Sequence, residues 1–135
     1  MEYQKNRMKI IVYKTREIEK IISFFQHLPD DWDSYGSPRP SAKTIYSLEK
    51  FTSKFFKFFY LRNSVYAIPG GGIQLDFRYE QKVLGFEIFS NGEIRYEQYI
   101  GNNLLSCNDP ICNKISLKED LADAQFNALL NWLME

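Results

Sequence analysis

Three stretches decide the fold: Ile73-Gln74-Leu75-Asp76-Phe77-Arg78-Tyr79, Leu84-Gly85-Phe86-Glu87-Ile88-Phe89, and Ile94-Arg95-Tyr96-Glu97-Gln98-Tyr99-Ile100. Along most of their length apolar and polar residues alternate, which is the period of a strand with one buried face. Short polar turns separate them, so they read as an antiparallel meander whose apolar face needs a cover. Ser64–Ile68 reads as a strand before them, and Pro69-Gly70-Gly71-Gly72 as a turn or bulge.

The turns set the register. Pairing Tyr79 with Leu84 brings Phe77 opposite Phe86 and implies a two-residue turn at Gln81-Lys82. A two-residue Asn91-Gly92 loop would place Ile88 opposite Arg95 and split the apolar sets between faces. A three-residue loop, Ser90-Asn91-Gly92, pairs Phe89 with Glu93 and keeps them together, so a type I turn with left-handed Gly92 and a bulge is expected. On the outer face Asp76, Arg78, Glu87, Arg95 and Glu97 read as cross-strand charge pairs on ordinary sheet surface.

Helical spacing appears on either side of the meander. Met8–Tyr13 reads as a short strand, and Thr15 as the cap of a helix carrying Ile18, Ile21, Ile22, Phe25 and Leu28, which stops at Pro29. Ser41 caps a second helix over residues 42–60, with Ile45, Leu48, Phe51, Phe55, Phe58 and Phe59 on one face. Lys43, Lys50, Lys54 and Lys57 fall in another sector about 60° wide. Ser116-Leu117-Lys118-Glu119 is a capping box opening a last helix to about Met134, with Leu117, Leu121, Ala124, Ala128 and Trp132 in line. The expectation is one α+β domain over residues 1–135, an about four-stranded, mostly antiparallel sheet with the 42–60 and 117–134 helices packed on one face. The Pro29–Pro40 loop is expected along one edge.

Composition narrows the chemistry. The 135 residues balance 17 Lys+Arg against 17 Asp+Glu, with 44% hydrophobic residues, as in an ordinary globular domain. Residues 1–62 hold 12 basic and 7 acidic side chains and the rest hold 5 and 10, so two halves attract one another or present opposite surfaces. No apolar run approaches a membrane span and the first residues are not a signal peptide, so a cytoplasmic protein without membrane contact is expected. A single histidine excludes most His-based catalysis and metal binding, while 11 Phe, 9 Tyr and 2 Trp point to a large aromatic core, a contact surface, or both. Trp32, Tyr35, Phe56, Tyr60, Phe89 and Tyr99 are the surplus.

Each chemical motif has a plainer structural account. Cys107 and Cys112 make at most half a zinc site and are expected as free thiols; neither a metal nor a cofactor is implied. Gly70-Gly71-Gly72 precedes a strand, whereas a phosphate loop precedes a helix. Asp30, Asp31 and Asp33 are the one dense carboxylate group; with His27 they would offer acid–base chemistry, and with Trp32 and Tyr35 a binding loop. The alternative gives the aspartates to local turns and the two rings to the core, with a backbone bend at Gly36.

The loop Trp32-Asp33-Ser34-Tyr35-Gly36-Ser37 with Pro38, Pro40 and Ser41, the strand Gly71-Gly72-Ile73-Gln74-Leu75 and the stretch Phe86–Gly92 together resemble a family of small bacterial proteins. That uncharacterised family shares a Trp-Asp-x-Tyr-Gly-small loop followed by a Gly-Gly-hydrophobic-Gln strand. Its members usually carry a tryptophan where Phe77 stands. The resemblance covers roughly residues 25–97, implies a bacterial α+β domain and transfers no catalytic residue.

The leading expectation is a non-catalytic protein-binding module, antitoxin-like, immunity-like or an inhibitor, acting through Asp31, Trp32, Asp33, Tyr35, Lys43, Lys50, Lys54 and Lys57. One alternative is a small hydrolase or nuclease accessory using Asp30, Asp31 or Asp33 with His27. Another is nucleic-acid binding through the lysine stripe. A homodimer through a free sheet edge or through Phe56 and Tyr60 is also open.

Overall fold

A sheet with one apolar face must lay that face against something, and here helices supply the cover. The computed structural model describes residues 8–12, 17–104, 114–115 and 120–135. In chain order these form β1 (Lys9–Ile10), α1 (Ile18–Gln26), α2 (Ala42–Lys54), a 3-10 turn (Phe56–Tyr60), β2 (Arg62–Ile68), β3 (Gly72–Tyr79), β4 (Lys82–Ile88), β5 (Ile94–Ile100), β6 (Asn103–Leu104), β7 (Lys114–Ile115) and α3 (Asp120–Met134). The fold is α+β. The four expected strands are the long ones, β2 to β5, and three two-residue strands extend the sheet beyond them. The order is β1-β2-β3-β4-β5-β6, with β7 also on β5, and every pairing is antiparallel.

Val65, Ala67, Ile73, Leu75, Phe77, Leu84, Phe86, Ile88 and Ile94 form the buried face. α2 and α3 pack on it, and α1 packs on α2. Phe51 is the hub, with ring centroids 5.0 Å from Phe86, 5.4 Å from Phe126 and 6.2 Å from Phe77. Edge-to-face and offset pairs of this kind add to the burial of the rings themselves.

The bulged loop forms as expected. Phe89 N–H donates to Glu93 O (2.8 Å), Gly92 N–H donates to Phe89 O (2.8 Å), Gly92 has φ +89° and Ile88 pairs with Ile94. The preceding hairpin differs. Tyr79 pairs with Lys82 and Leu75 with Phe86, so the turn is Glu80-Gln81, with Glu80 left-handed at φ +54°. A slip of two residues keeps both apolar sets on one face, so alternation alone does not separate the two registers.

Four other expectations are corrected. Among the described residues the first strand is Lys9–Ile10, and beyond it Val12 N–H donates to the side chain of Asn63 on β2 (3.1 Å) rather than to the β2 backbone. The second helix ends at Lys54, where Phe55 leaves helical geometry (φ −119°, ψ 35°), and the tighter 3-10 turn sets Phe58 and Phe59 against Phe77 at 5.2 and 5.1 Å. α3 buries Phe126, Leu129 and Leu133 and leaves Ala124 and Ala128 exposed, since the Phe126 ring stacks on Phe55 (3.6 Å) and Phe86 (5.2 Å) and buries more apolar area than alanines would. The loop after α1 meets one end of the sheet, not an edge: Ser41 N–H donates to Gly71 O (3.1 Å) in the β2–β3 turn. Thr15, Cys107, Cys112, Leu117 and the capping box at Ser116 lie outside the described residues.

Candidate functional site

The aspartates of the Pro29–Pro40 loop are turned onto the loop's own backbone. Asp33 is 2% exposed and accepts from Tyr35 N–H (3.0 Å), Ser37 N–H (3.2 Å) and the Ser37 hydroxyl. Burial by itself would raise its pKa, but the Ser37 hydroxyl and the backbone donors outweigh it and hold the carboxyl below its ordinary value. Asp31 accepts from Gly36 N–H (2.7 Å) and Asp30 from Arg39 N–H (3.0 Å). Asp31 and Ser34 sit at φ +61° and +64°, and the Asp31 backbone is held on both sides, to Ser37 O (2.8 Å) and from Ser34 N–H (3.1 Å). His27 Nδ1 lies 2.7 Å from Ser23 O, one helical turn back. Each group of the expected acid–base set is therefore engaged in local structure.

Trp32 and Tyr35 divide. Trp32 is half-buried against the core and its Nε1–H donates to Pro38 O (3.0 Å). Tyr35 is 63% exposed.

Ser41, Gly71 and Gly92 converge at the N-terminus of α2. Ser41 Oγ accepts from Thr44 N–H (3.0 Å), the cap read from sequence, and also donates to Ser90 O (2.6 Å) in the β4–β5 loop. Thr44, fully buried, places Oγ1 at 2.8 Å from Gly71 O and 2.9 Å from Phe89 O, and Ser47 Oγ–H donates to Gly92 O (2.7 Å). Three small hydroxyl residues at helical spacing thus clasp both hairpin ends. The glycines permit the approach: Gly71 and Gly92 both have φ +89°, and a Cβ on Gly92 would lie 3.1 Å from Ser47 Oγ. The Ser41, Gly71 and Asn91-Gly92 signals in the sequence are mainly fold-specifying.

The lysine stripe survives in part. Lys43, Lys50 and Lys54 share α2, whereas Lys57 falls in the 3-10 turn and leaves the helical sector. Lys50 Nζ lies 4.6 Å above the Tyr46 ring and Lys54 Nζ 6.0 Å from that of Phe55. Tyr46, Glu49, Lys50, Ser53 and Lys54 line a shallow depression. Lys54 and Lys57, with Phe55, Phe56, Phe58, Asn127 and Leu130, line an adjoining cleft of about 220 Å³ between the end of α2 and α3. Tyr46 (57% exposed) is missing from the surplus aromatics read from sequence, although at 100° per residue it falls beside the lysine sector, which is the signal that finds it; Phe56 and Tyr60 (43% and 64%) are among them.

A second surface lies on the side of the sheet opposite α2 and α3. Tyr66, Gln74, Asp76, Arg78, Val83, Glu97, Tyr99, Gly101 and Asn102 line an open trough of about 600 Å³. Sequence reading assigns this face to plain charge pairs. The signal to the contrary is Gly85, a glycine inside a strand, where a close approach of other atoms is a standard reason.

Among the described residues no three His, Cys, Asp or Glu side chains gather as a metal site, and no helix is long and apolar enough to cross a membrane. No protein-family model matches the chain, and neither does any curated protein or solved structure.

Proposed function

We propose that this protein is a non-catalytic, cytoplasmic bacterial protein-binding module of the antitoxin, immunity or inhibitor type. Its contact surface is the ridge that runs from Tyr46 through Lys50 and Lys54 to Phe56 and Lys57. The observation that carries the reading is that exposed aromatics and lysines interleave there on two adjoining depressions joined by Lys54. Exposed rings supply contact area at small entropic cost, and lysines steer an acidic partner surface. The engagement of Asp30, Asp31, Asp33 and His27 in local hydrogen bonds favours this class over an acid–base enzyme. Of the loop residues, Tyr35 remains as an additional contact, and Lys43 borders the ridge on α2.

The test is capture from an extract of the native host by the immobilised wild type, by a Lys50→Glu/Lys54→Glu/Lys57→Glu variant and by Tyr46→Ala/Phe56→Ala. A protein retained by the wild type and lost by both variants, with circular dichroism unchanged, supports the reading. Retention of nucleic acid in its place, or capture that survives charge reversal, removes it.

A further inference from the structure

Two carboxylates, each buttressed by a tyrosine hydroxyl, flank a glycine on the side of the sheet opposite α2 and α3, and we propose that this trough binds a small organic cation, an alkylammonium or guanidinium compound. The inference concerns the face opposite α2 and does not rest on the protein-binding ridge.

The register places the groups. Asp76 on β3 pairs with Gly85 on β4, and Gly85 pairs with Glu97 on β5, so the two acids stand on either side of a position with no side chain. Neighbouring strands lie about 4.8 Å apart, which puts the two Cα atoms about 10 Å apart. The space over Gly85 is used: a Cβ there would lie 2.9 Å from Gln74 Nε2 and 3.0 Å from Asp76 Oδ1. Asp76 and Gln74 therefore lean across β4 toward Glu97. An alanine at this position would push them back.

The donors that hold the carboxylates are neutral. Tyr66 O–H donates to Asp76 Oδ2 (3.0 Å), Gln74 Nε2–H to Asp76 Oδ1 (3.0 Å) and Tyr99 O–H to Glu97 Oε2 (2.6 Å). These bonds orient the acids without cancelling their charge. Among the described residues Arg78, exposed and two residues along β3, is the one basic side chain in the lining, so there two negative charges face one positive. The fields of both acids meet at one hydroxyl. The Tyr99 phenol is pushed up to about 12, first by its hydrogen bond to Glu97, then by burial and by the charges of Glu97 and Asp76. A cation seated in the trough between Asp76 and Glu97, beside the Gln74 amide that fills the space over Gly85, reaches both carboxylates and has the rings of Tyr66 and Tyr99 within the same lining for cation–π contact. The trough, about 600 Å³ and open to solvent, has room for such a compound.

The experiment uses the full chain with agmatine as the probe. Calorimetry gives the affinity, and amide chemical shifts on the wild-type protein map the contact, so the test does not depend on a variant folding. The expected result is a Kd below about 1 mM, shifts centred on Gly85 and Tyr99, and at least a tenfold loss in Asp76→Asn/Glu97→Gln. Lys50→Glu/Lys54→Glu/Lys57→Glu should bind agmatine as the wild type does, which separates this proposal from the ridge. Absence of binding at that concentration overturns the inference, as does equal binding by the carboxamide variant. Shifts in the trough produced by glucose or magnesium chloride but not by agmatine also overturn it.

Discussion

Ser41 performs two tasks with one hydroxyl, and substitution separates them. As a cap it accepts from Thr44 N–H at 3.0 Å, and as a clasp it donates to Ser90 O at 2.6 Å, 49 residues away. Losing the cap costs about 1 kcal/mol. Losing a neutral hydrogen bond that ties a loop to a helix costs about another 1 kcal/mol. Ser41→Ala should therefore lose about 2 kcal/mol, a fall in Tm of about 7 °C for a chain of this length. Ser41→Thr keeps both functions and should melt close to wild type. Ser41→Asp keeps an acceptor for the helix, with a favourable charge at its N-terminus, but has no proton for Ser90 O. It should fall between the two, about 1 kcal/mol below wild type. Urea unfolding followed by circular dichroism measures all three, with an unchanged m-value showing that compactness is the same. If Ser41→Asp is more stable than wild type by the full gain of its charge at the helix N-terminus, about 0.3–1 kcal/mol, the tertiary bond contributes nothing and the clasp is not what holds the hairpin ends. A Ser41→Ala loss below about 0.5 kcal/mol would remove the whole account.

Four further outcomes follow from the geometry. The depressed Asp33 carboxyl contributes stability above its ordinary pKa of 3.8 that is lost as pH falls through its lower folded value; Asp33→Asn should melt below wild type at pH 7, with the gap closing in acid, as thermal melts against pH would show. Tyr99 has the opposite sign: its raised pKa gives stability complete below the ordinary 10.0 and lost as pH rises through about 12, and Glu97→Gln should return the phenol toward 10.0 in ultraviolet titration referenced to Tyr99→Phe. Gly92→Ala forces an alanine to φ +89° with its Cβ 3.1 Å from Ser47 Oγ, and denaturation should show a loss of about 1–2 kcal/mol. Trp32→Ala should lower Tm markedly because the ring packs on the core and bonds Pro38 O, whereas Tyr35→Ala, at an exposed site, should leave Tm unchanged and alter only partner capture.

Much of the architecture is legible in the chain because burial imposes a period. The alternation from Ile73 to Ile100 selects strands and assigns a face to each residue, and the Ser90-Asn91-Gly92 loop follows because any shorter loop would split that face. Ser41 is legible as a cap because its partner is three residues away. The break at Phe55 is not legible: helical spacing continues through Phe58 and Phe59, and only the position of Phe77 makes the tighter turn the better packing. The buried stripe of α3 is hidden for the same reason, since Phe126 wins its place by meeting Phe55 and Phe86 from other elements.

The candidate sites divide along the same line. Composition and local pattern determined that this is an α+β chain with surplus aromatics, a lysine-bearing helix and an aspartate loop. The tertiary structure decided that the loop's acids serve its own backbone and that Lys57 leaves the helical stripe for the 3-10 turn. It also decided the trough. In the register that pairs Tyr79 with Leu84, Asp76 would face Glu87; the observed pairing of Tyr79 with Lys82 sets it beside Gly85, in line with Glu97. Side-chain alternation has a period of two, so a slip of two residues is invisible to it. The Glu80-Gln81 turn carries no glycine or asparagine to mark its place, and only the packing of whole strands against the helices chooses between the two registers.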